Sequence, residues 1–110
     1  MSKLSDIAKL ELVLKYIADV ERIIERHGSV DKTIEDYEGE YAVMMCLTQI
    51  AETVNKISNT EFLEAIDYRG IVAFRNRMVH NYEGRDKVII AQILNTNLPI
   101  LKVSIQSILG

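Results

Sequence analysis

The chain has 110 residues, with 16 acidic against 13 basic side chains, 48% hydrophobic and 6% aromatic content, one cysteine, one proline and no tryptophan. That length makes one domain of the common ~50–250-residue range and leaves no room for separate catalytic and cofactor domains. A net charge of −3 argues, as an average, against a surface coated with phosphate-binding cations. Cys46 has no second cysteine to pair with, so an intrachain disulfide is impossible and a reducing compartment is expected. One cysteine with His27 and His80 is a poor ligand set for zinc held by nitrogen and sulfur alone. Lys3, Asp6, Lys9, Glu11 and Lys15 interrupt the first twenty residues, which denies them the apolar core of a secretion signal. The apolar run Tyr41 to Ile50 falls short of the ~18–20 residues that span a bilayer. The expectation is one cytoplasmic domain over 1–110 with no membrane contact.

In chain order, Ile7, Leu10, Val13, Leu14, Ile17, Val20 and Ile24 recur at three- and four-residue spacing, which predicts a first helix of about six turns. Ser5 can cap its start and Gly28 its end. His27, beside Gly28, is placed to serve the helix dipole or to face water. Glu35, Asp36, Glu38 and Glu40, broken by Gly39, form an acidic connection that suits the start of the next helix better than a metal site. That helix is predicted from about Tyr41 to Ile57, with Met44, Leu47, Ala51, Val54 and Ile57 on one face and Val43 and Ile50 widening it. Cys46, inside this apolar run, reads as a buried structural thiol. Thr60, followed by Glu61 and Glu64, predicts a cap and a short helical turn.

Asp67 then offers a cap for a third main helix from Tyr68 to about Asn81, with Ile71, Phe74, Met78 and Val79 apolar and Glu83-Gly84 ending it. The last segment, Asp86 to Leu109, is helical in pattern through Val88, Ile89, Ile93, Leu94, Leu98, Leu101, Ile105 and Leu109. Pro99 inside it predicts either a fresh start capped by Asn97 or a kink. Nothing reads as a strand, so the expected fold is an all-α, up-and-down bundle of four to five helices with short connections.

The sequence has no glycine-rich phosphate loop, G-x-S-x-G, C-x-x-C or H-E-x-x-H. One segment stands out instead. Arg69, Arg75, Arg77, Arg85 and Lys87 place five of thirteen cations within nineteen residues. The central run reads Phe74-Arg75-Asn76-Arg77-Met78-Val79-His80-Asn81-Tyr82. At ~100° per residue, Arg69, Asn76 and His80 fall near one line, and Arg75 shares the neighbouring line with Tyr82. Arg77 stands three residues before His80 and can lean toward it.

These are the groups that metal-free RNA cleavage requires. An imidazole titrating near pH 6.5 can take the proton of a 2′-hydroxyl or return one to the leaving 5′-oxygen. A guanidinium clamps phosphate oxygens as charge builds on them. Asn76 could orient the histidine or bind the sugar, and Tyr82 could stack on a base or donate to phosphate. The same residues also fit an exposed helix face whose cations pair with acids elsewhere.

The run Arg75 to Tyr82 resembles the R-x4-H-x-Y motif of HEPN-domain ribonucleases, most closely the HepT-like toxins of toxin–antitoxin pairs, with Asn76 as the polar residue that follows the motif arginine. Leu47-Thr48-Gln49-Ile50-Ala51-Glu52 is similar to the family's L-x-x-I-G-E element, with Ala51 where glycine is usual. Tyr68-Arg69-Gly70-Ile71-Val72-Ala73-Phe74 is similar to the stretch leading into the motif, and Asn97-Leu98-Pro99-Ile100-Leu101 to the family's D-L-P-x-L. Glu83 and Arg85 depart from the aromatic and aliphatic residues common after the tyrosine.

The resemblance implies an all-α HEPN-like domain and a homodimer whose motif helices face each other across one cleft. It implies a metal-independent endoribonuclease without a cofactor, with His80 moving protons and Arg75 stabilising the transition state. It also implies a partner, a minimal nucleotidyltransferase antitoxin that adds AMP to Tyr82, as in a type VII-like pair. Arg69, Asn76, Arg77 and Tyr82 are the auxiliary substrate-binding candidates. A non-catalytic HEPN subunit that binds nucleotide or docks a nucleotidyltransferase is the alternative from another functional class, and a plain helical dimerisation module is a third.

Overall fold

The structure, a computed structural model, describes the backbone of residues 4–80 and 87–110 and the side chains of all of these except 77–80. Its elements are α1 (Asp6–His27), α2 (Val30–Glu35), α3 (Tyr37–Asn55), α4 (Thr60–Ala65) and α5 (Arg69–His80). A C-terminal helix follows, made of α6 (Lys87–Gln92), a π-helical turn (Ile93–Asn97) and α7 (Leu98–Leu109). The described residues include no strand, in keeping with the expected all-α bundle. Four long helices carry the fold, and α2 and α4 are single short helices in the connections.

The buried faces are those that the apolar spacing requires. Leu10, Val13, Ile17 and Val20 of α1 meet Val43, Leu47, Ile50, Ala51 and Val54 of α3. Ile71 and Phe74 of α5 close one flank, and Ile90, Ile93, Leu94, Leu98, Leu101 and Ile105 of the C-terminal helix complete the core. Each such side chain, fully buried, contributes about 1.5–3 kcal/mol. Ile7 and Val88, both in the predicted apolar pattern, are instead exposed. Each lies in the first turn of its helix.

Helix ends follow local hydrogen-bonding chemistry. Ser5 Oγ accepts from Ala8 N at 3.0 Å, and Gly28, at φ 99°, closes α1 by donating to Ile24 O. The left-handed backbone at Gly28 is one that a side chain rarely adopts. The connection expected to be merely acidic holds α2, capped by Ser29. Asp36 then caps α3 by accepting from Gly39 N at 2.8 Å, so α3 begins at Tyr37, four residues before the predicted start, and ends at Asn55. Asn59, not Thr60, caps α4: its Oδ1 accepts from Phe62 N at 3.1 Å. At the start of α5 the residue before the first helical one is Tyr68, whose carbonyl accepts from Val72 N, rather than the predicted Asp67. The predicted stop at Glu83-Gly84 lies outside the described residues.

At Pro99 the C-terminal helix makes no capped fresh start; it widens into a π-turn just before the proline. Asn97 is helical (φ −67°, ψ −43°) and makes no side-chain cap. Proline has no N–H and its ring collides with the carbonyl four residues back; the chain answers with the π-turn, in which Leu98 donates to Ile93 O, five residues away. This helix also corrects the membrane reading taken from Tyr41 to Ile50. The uncharged run Val88 to Leu101 is longer, and Lys87–Leu109, 23 residues with a mean hydropathy of 1.5 in its most apolar window, is by length and composition able to cross a membrane. Here six of its side chains lie in the common core.

His27 and Gly39 join α1 to α3. His27 Nδ1 donates to Ile23 O at 2.8 Å and Nε2 to Asp36 Oδ2 at 3.1 Å, so the geometry uses both N–H groups of an imidazolium. The Ile23 carbonyl and then the Asp36 carboxylate raise the imidazole above its ordinary 6.5. The Gly39 amide and then His27 lower the Asp36 carboxyl below its ordinary 3.8. A raised histidine stabilises the fold fully below its unfolded value and loses that contribution as pH rises through the folded one. A lowered aspartate stabilises above its unfolded value and loses that as pH falls. The stabilising contribution of the pair is therefore greatest between these values. In thermal melts, the advantage of the wild type over His27→Gln is expected to shrink as pH rises through the histidine's raised pKa. An advantage that grows with pH would contradict the pairing.

A Cβ on Gly39 would sit 2.5 Å from Thr33 O and 3.0 Å from His27 Nε2. Gly39→Ala is expected to cost about 1–3 kcal/mol of stability in denaturant titration, through this clash with backbone.

Candidate functional site

The basic segment is carried by α5, whose position is fixed at three points. Ile71 and Phe74 bury one face, 1% and 5% exposed. Gly70 passes the π-turn so closely that a Cβ there would lie 3.0 Å from Asn97 Nδ2. On the α3 side, Arg75 reaches across to Glu52, with Nη2 donating to Oε1 at 3.4 Å.

Arg75 is the best-defined member of the site. Its side chain is 32% exposed, so the guanidinium is held by protein on one side and open to solvent on the other. Nη1 donates to Asn76 Oδ1 at 3.2 Å, and Asn76 itself is exposed. Nε is buried and has no hydrogen-bond partner among the described residues. A permanently charged, one-third-exposed guanidinium whose Nη1 meets the exposed Asn76 side chain is suited to clamping a phosphate.

The remaining predicted residues divide by position. The backbone of Arg77 and His80 continues α5, and His80 lies five residues beyond Arg75, roughly 7.5 Å further along the helix axis. Tyr82, Glu83 and Arg85 lie outside the described residues. Arg69 opens α5 and lines a groove of about 670 Å³ with Tyr68, Glu64 and Ser104 of α7; Arg75 does not line that groove. The described residues thus bring Arg75 and Asn76 together and set Arg69 apart from them.

Glu52 carried no assigned role in the sequence, although it closes the Leu47 to Glu52 element. A signal was available: between Tyr41 and Asn55 it is the sole charged residue. A lone carboxylate on an otherwise uncharged helix invites a cationic partner on a neighbouring element. Cys46, expected to be buried, is only half-buried; desolvation raises its thiol pKa, with Asp19 adding to the effect. No group of three or more His, Cys, Asp or Glu among the described residues could hold a metal ion. No curated protein and no solved structure matches the chain. Residues 13–108 match a family model described as ribonuclease HepT-like.

Proposed function

On the premise that the chain belongs to the HepT-like ribonuclease family, we propose that it is a metal-independent endoribonuclease, the toxin of a toxin–antitoxin pair, with Arg75 and His80 as its catalytic residues. It works in the cytoplasm as a homodimer in which the two α5 helices face each other. The observation that carries this reading is the one-third-exposed side chain of Arg75, paired with Glu52 through Nη2 and meeting the exposed Asn76 through Nη1, five residues before His80 on the same helix.

The chemistry needs no group that the chain lacks. His80 takes the proton of the 2′-hydroxyl as that oxygen attacks the adjacent phosphorus. The bond from phosphorus to the 5′-oxygen breaks, and the leaving oxygen takes a proton from the second protomer's imidazolium or from water. The products are a 2′,3′-cyclic phosphate and a 5′-hydroxyl. Arg75 binds the non-bridging oxygens while their charge grows, which is where a fixed cation lowers the barrier most. Asn76 and Arg77 assist in binding sugar and phosphate, Tyr82 in binding a base, and Arg69 in holding RNA further from the scissile bond.

A minimal nucleotidyltransferase is the proposed antitoxin, acting by transfer of AMP to Tyr82. The test is cleavage of RNA by the purified chain in EDTA, compared with His80→Ala. Cleavage by the wild type alone supports the reading. Nucleotide binding or nucleotidyltransferase docking without cleavage, in protein shown by intact mass to be unmodified, would replace it with the non-catalytic alternative.

A further inference from the structure

We propose that Glu52 is a positioning residue for the cleavage reaction, holding Arg75 by the inner edge of its guanidinium so that the outer edge meets the scissile phosphate. The inference rests on the reading of Arg75 as a catalytic group. Three observations lead to it. Glu52 is the one charged residue in the stretch Tyr41 to Asn55, and it faces α5 rather than an intrahelical partner. Its Oε1 accepts from Nη2 of Arg75 at 3.4 Å, across 23 residues of chain. The adjacent Nε of the same guanidinium is buried and lacks a hydrogen-bond partner among the described residues.

A guanidinium presents its N–H groups as a planar fork, and a carboxylate matches two parallel donors on one edge. Glu52 already engages Nη2, and the free buried donor beside it is Nε. A small approach of the carboxylate satisfies both and fixes the plane of the guanidinium, including the direction of Nη1. That outer nitrogen, now donating to the exposed Asn76 side chain, is the one with access to a ligand. Phosphate binding then exchanges a neutral amide acceptor for an anionic one and leaves the inner grip intact.

Glu52 cannot act by binding phosphate, because a carboxylate beside an anion repels it. Its contribution is orientation, and orientation is worth most in the transition state. The alternative is that Glu52 simply competes with phosphate for Arg75. The two differ in sign. Positioning makes loss of the carboxylate slow the reaction, whereas competition makes its loss speed the reaction or tighten binding.

The experiment compares the full-length wild type with Glu52→Ala, Glu52→Gln, Arg75→Ala and the Glu52→Ala/Arg75→Ala double variant on one defined RNA oligonucleotide in EDTA. Melting temperatures are recorded for each variant. Glu52→Ala is expected to lower kcat about 10- to 100-fold with KM nearly unchanged. Glu52→Gln, which retains an acceptor oxygen, recovers part of that loss. In the Arg75→Ala background the Glu52 substitution has no further effect. Unchanged or raised kcat in both Glu52 variants, with Arg75→Ala still inactive, overturns the positioning role and leaves the ribonuclease reading standing. Full cleavage by Arg75→Ala, or none by the wild type, overturns the ribonuclease reading itself and the positioning role with it.

Discussion

Arg75→Ala is expected to lower RNA cleavage by about 10²–10³-fold, the usual cost of removing a charge-stabilising donor from a transition state. His80→Ala is expected to lower it by about 10²–10⁴-fold, the range for a general acid or base. The loss at Arg75 should not come from unfolding. Arg75 is one-third exposed and Glu52 two-fifths exposed, and ion pairs that solvent reaches in this way typically contribute about 0.2–1 kcal/mol. The melting temperature of Arg75→Ala should stay close to that of the wild type. Arg75→Lys separates charge from geometry, because an ammonium keeps the charge but cannot grip Glu52 and phosphate with two parallel edges. It should recover only a small part of the rate. Recovery to wild-type rate would show that Arg75 acts as a bare point charge.

Transfer of AMP to Tyr82 is expected to silence cleavage completely, the second large effect. Tyr82 follows His80 by two residues. In the transfer the tyrosine oxygen attacks the α-phosphorus of ATP and pyrophosphate leaves, so the side chain gains a phosphodiester with one negative charge. That charge competes for the arginines that would otherwise bind RNA, and the nucleoside occupies the cleft. Incubation with the cognate nucleotidyltransferase and ATP should add the mass of AMP and remove activity together. Tyr82→Phe should gain no mass, and its cleavage, whatever its level, should be unaltered by the treatment. Loss of activity in Tyr82→Phe under the same treatment would place the modification elsewhere.

Much of the fold was legible in the sequence because it depends on repeated local signals. The apolar spacing of Leu10 to Val20 and of Val43 to Val54 specified the two helices that dominate the core, and Ser5 and Gly28 marked the ends of the first. The misread boundaries are cases where one polar side chain had several possible uses. Asp36 looked like one acid among four until its carboxylate was seen to accept from Gly39 N and pair with His27. Asn59 and Thr60 are both good caps, and only the backbone at Asn59 is extended (φ −71°, ψ 111°). The π-turn could not be foreseen: a proline requires some adjustment, but the choice between a new start and a wider turn is made by packing.

The candidate site was legible as a composition anomaly around Arg75 and His80, and the contact with Glu52 was not. A contact between residues 52 and 75 depends on how α3 and α5 cross, which no spacing within either helix encodes. Charge told a similar story. Residues 1–67 hold fourteen acids and seven Lys or Arg, and residues 68–110 hold two acids and six Lys or Arg. The net −3 is thus an average over two halves of opposite sign, and the positive half contains α5. RNA binding should accordingly be weak away from this region and fall steeply with salt.

The most direct test of metal-free cleavage by Arg75 and His80 reads the ends of the cut RNA. A defined oligonucleotide is incubated with the wild-type chain in EDTA, beside a copy with a single 2′-deoxy sugar at the cleavage position, and the products are analysed by mass spectrometry. The account predicts a 2′,3′-cyclic phosphate and a 5′-hydroxyl from the all-RNA strand, and no cut at the deoxy position. A 5′-phosphate with a 3′-hydroxyl, or equal cutting at the deoxy position, would contradict it.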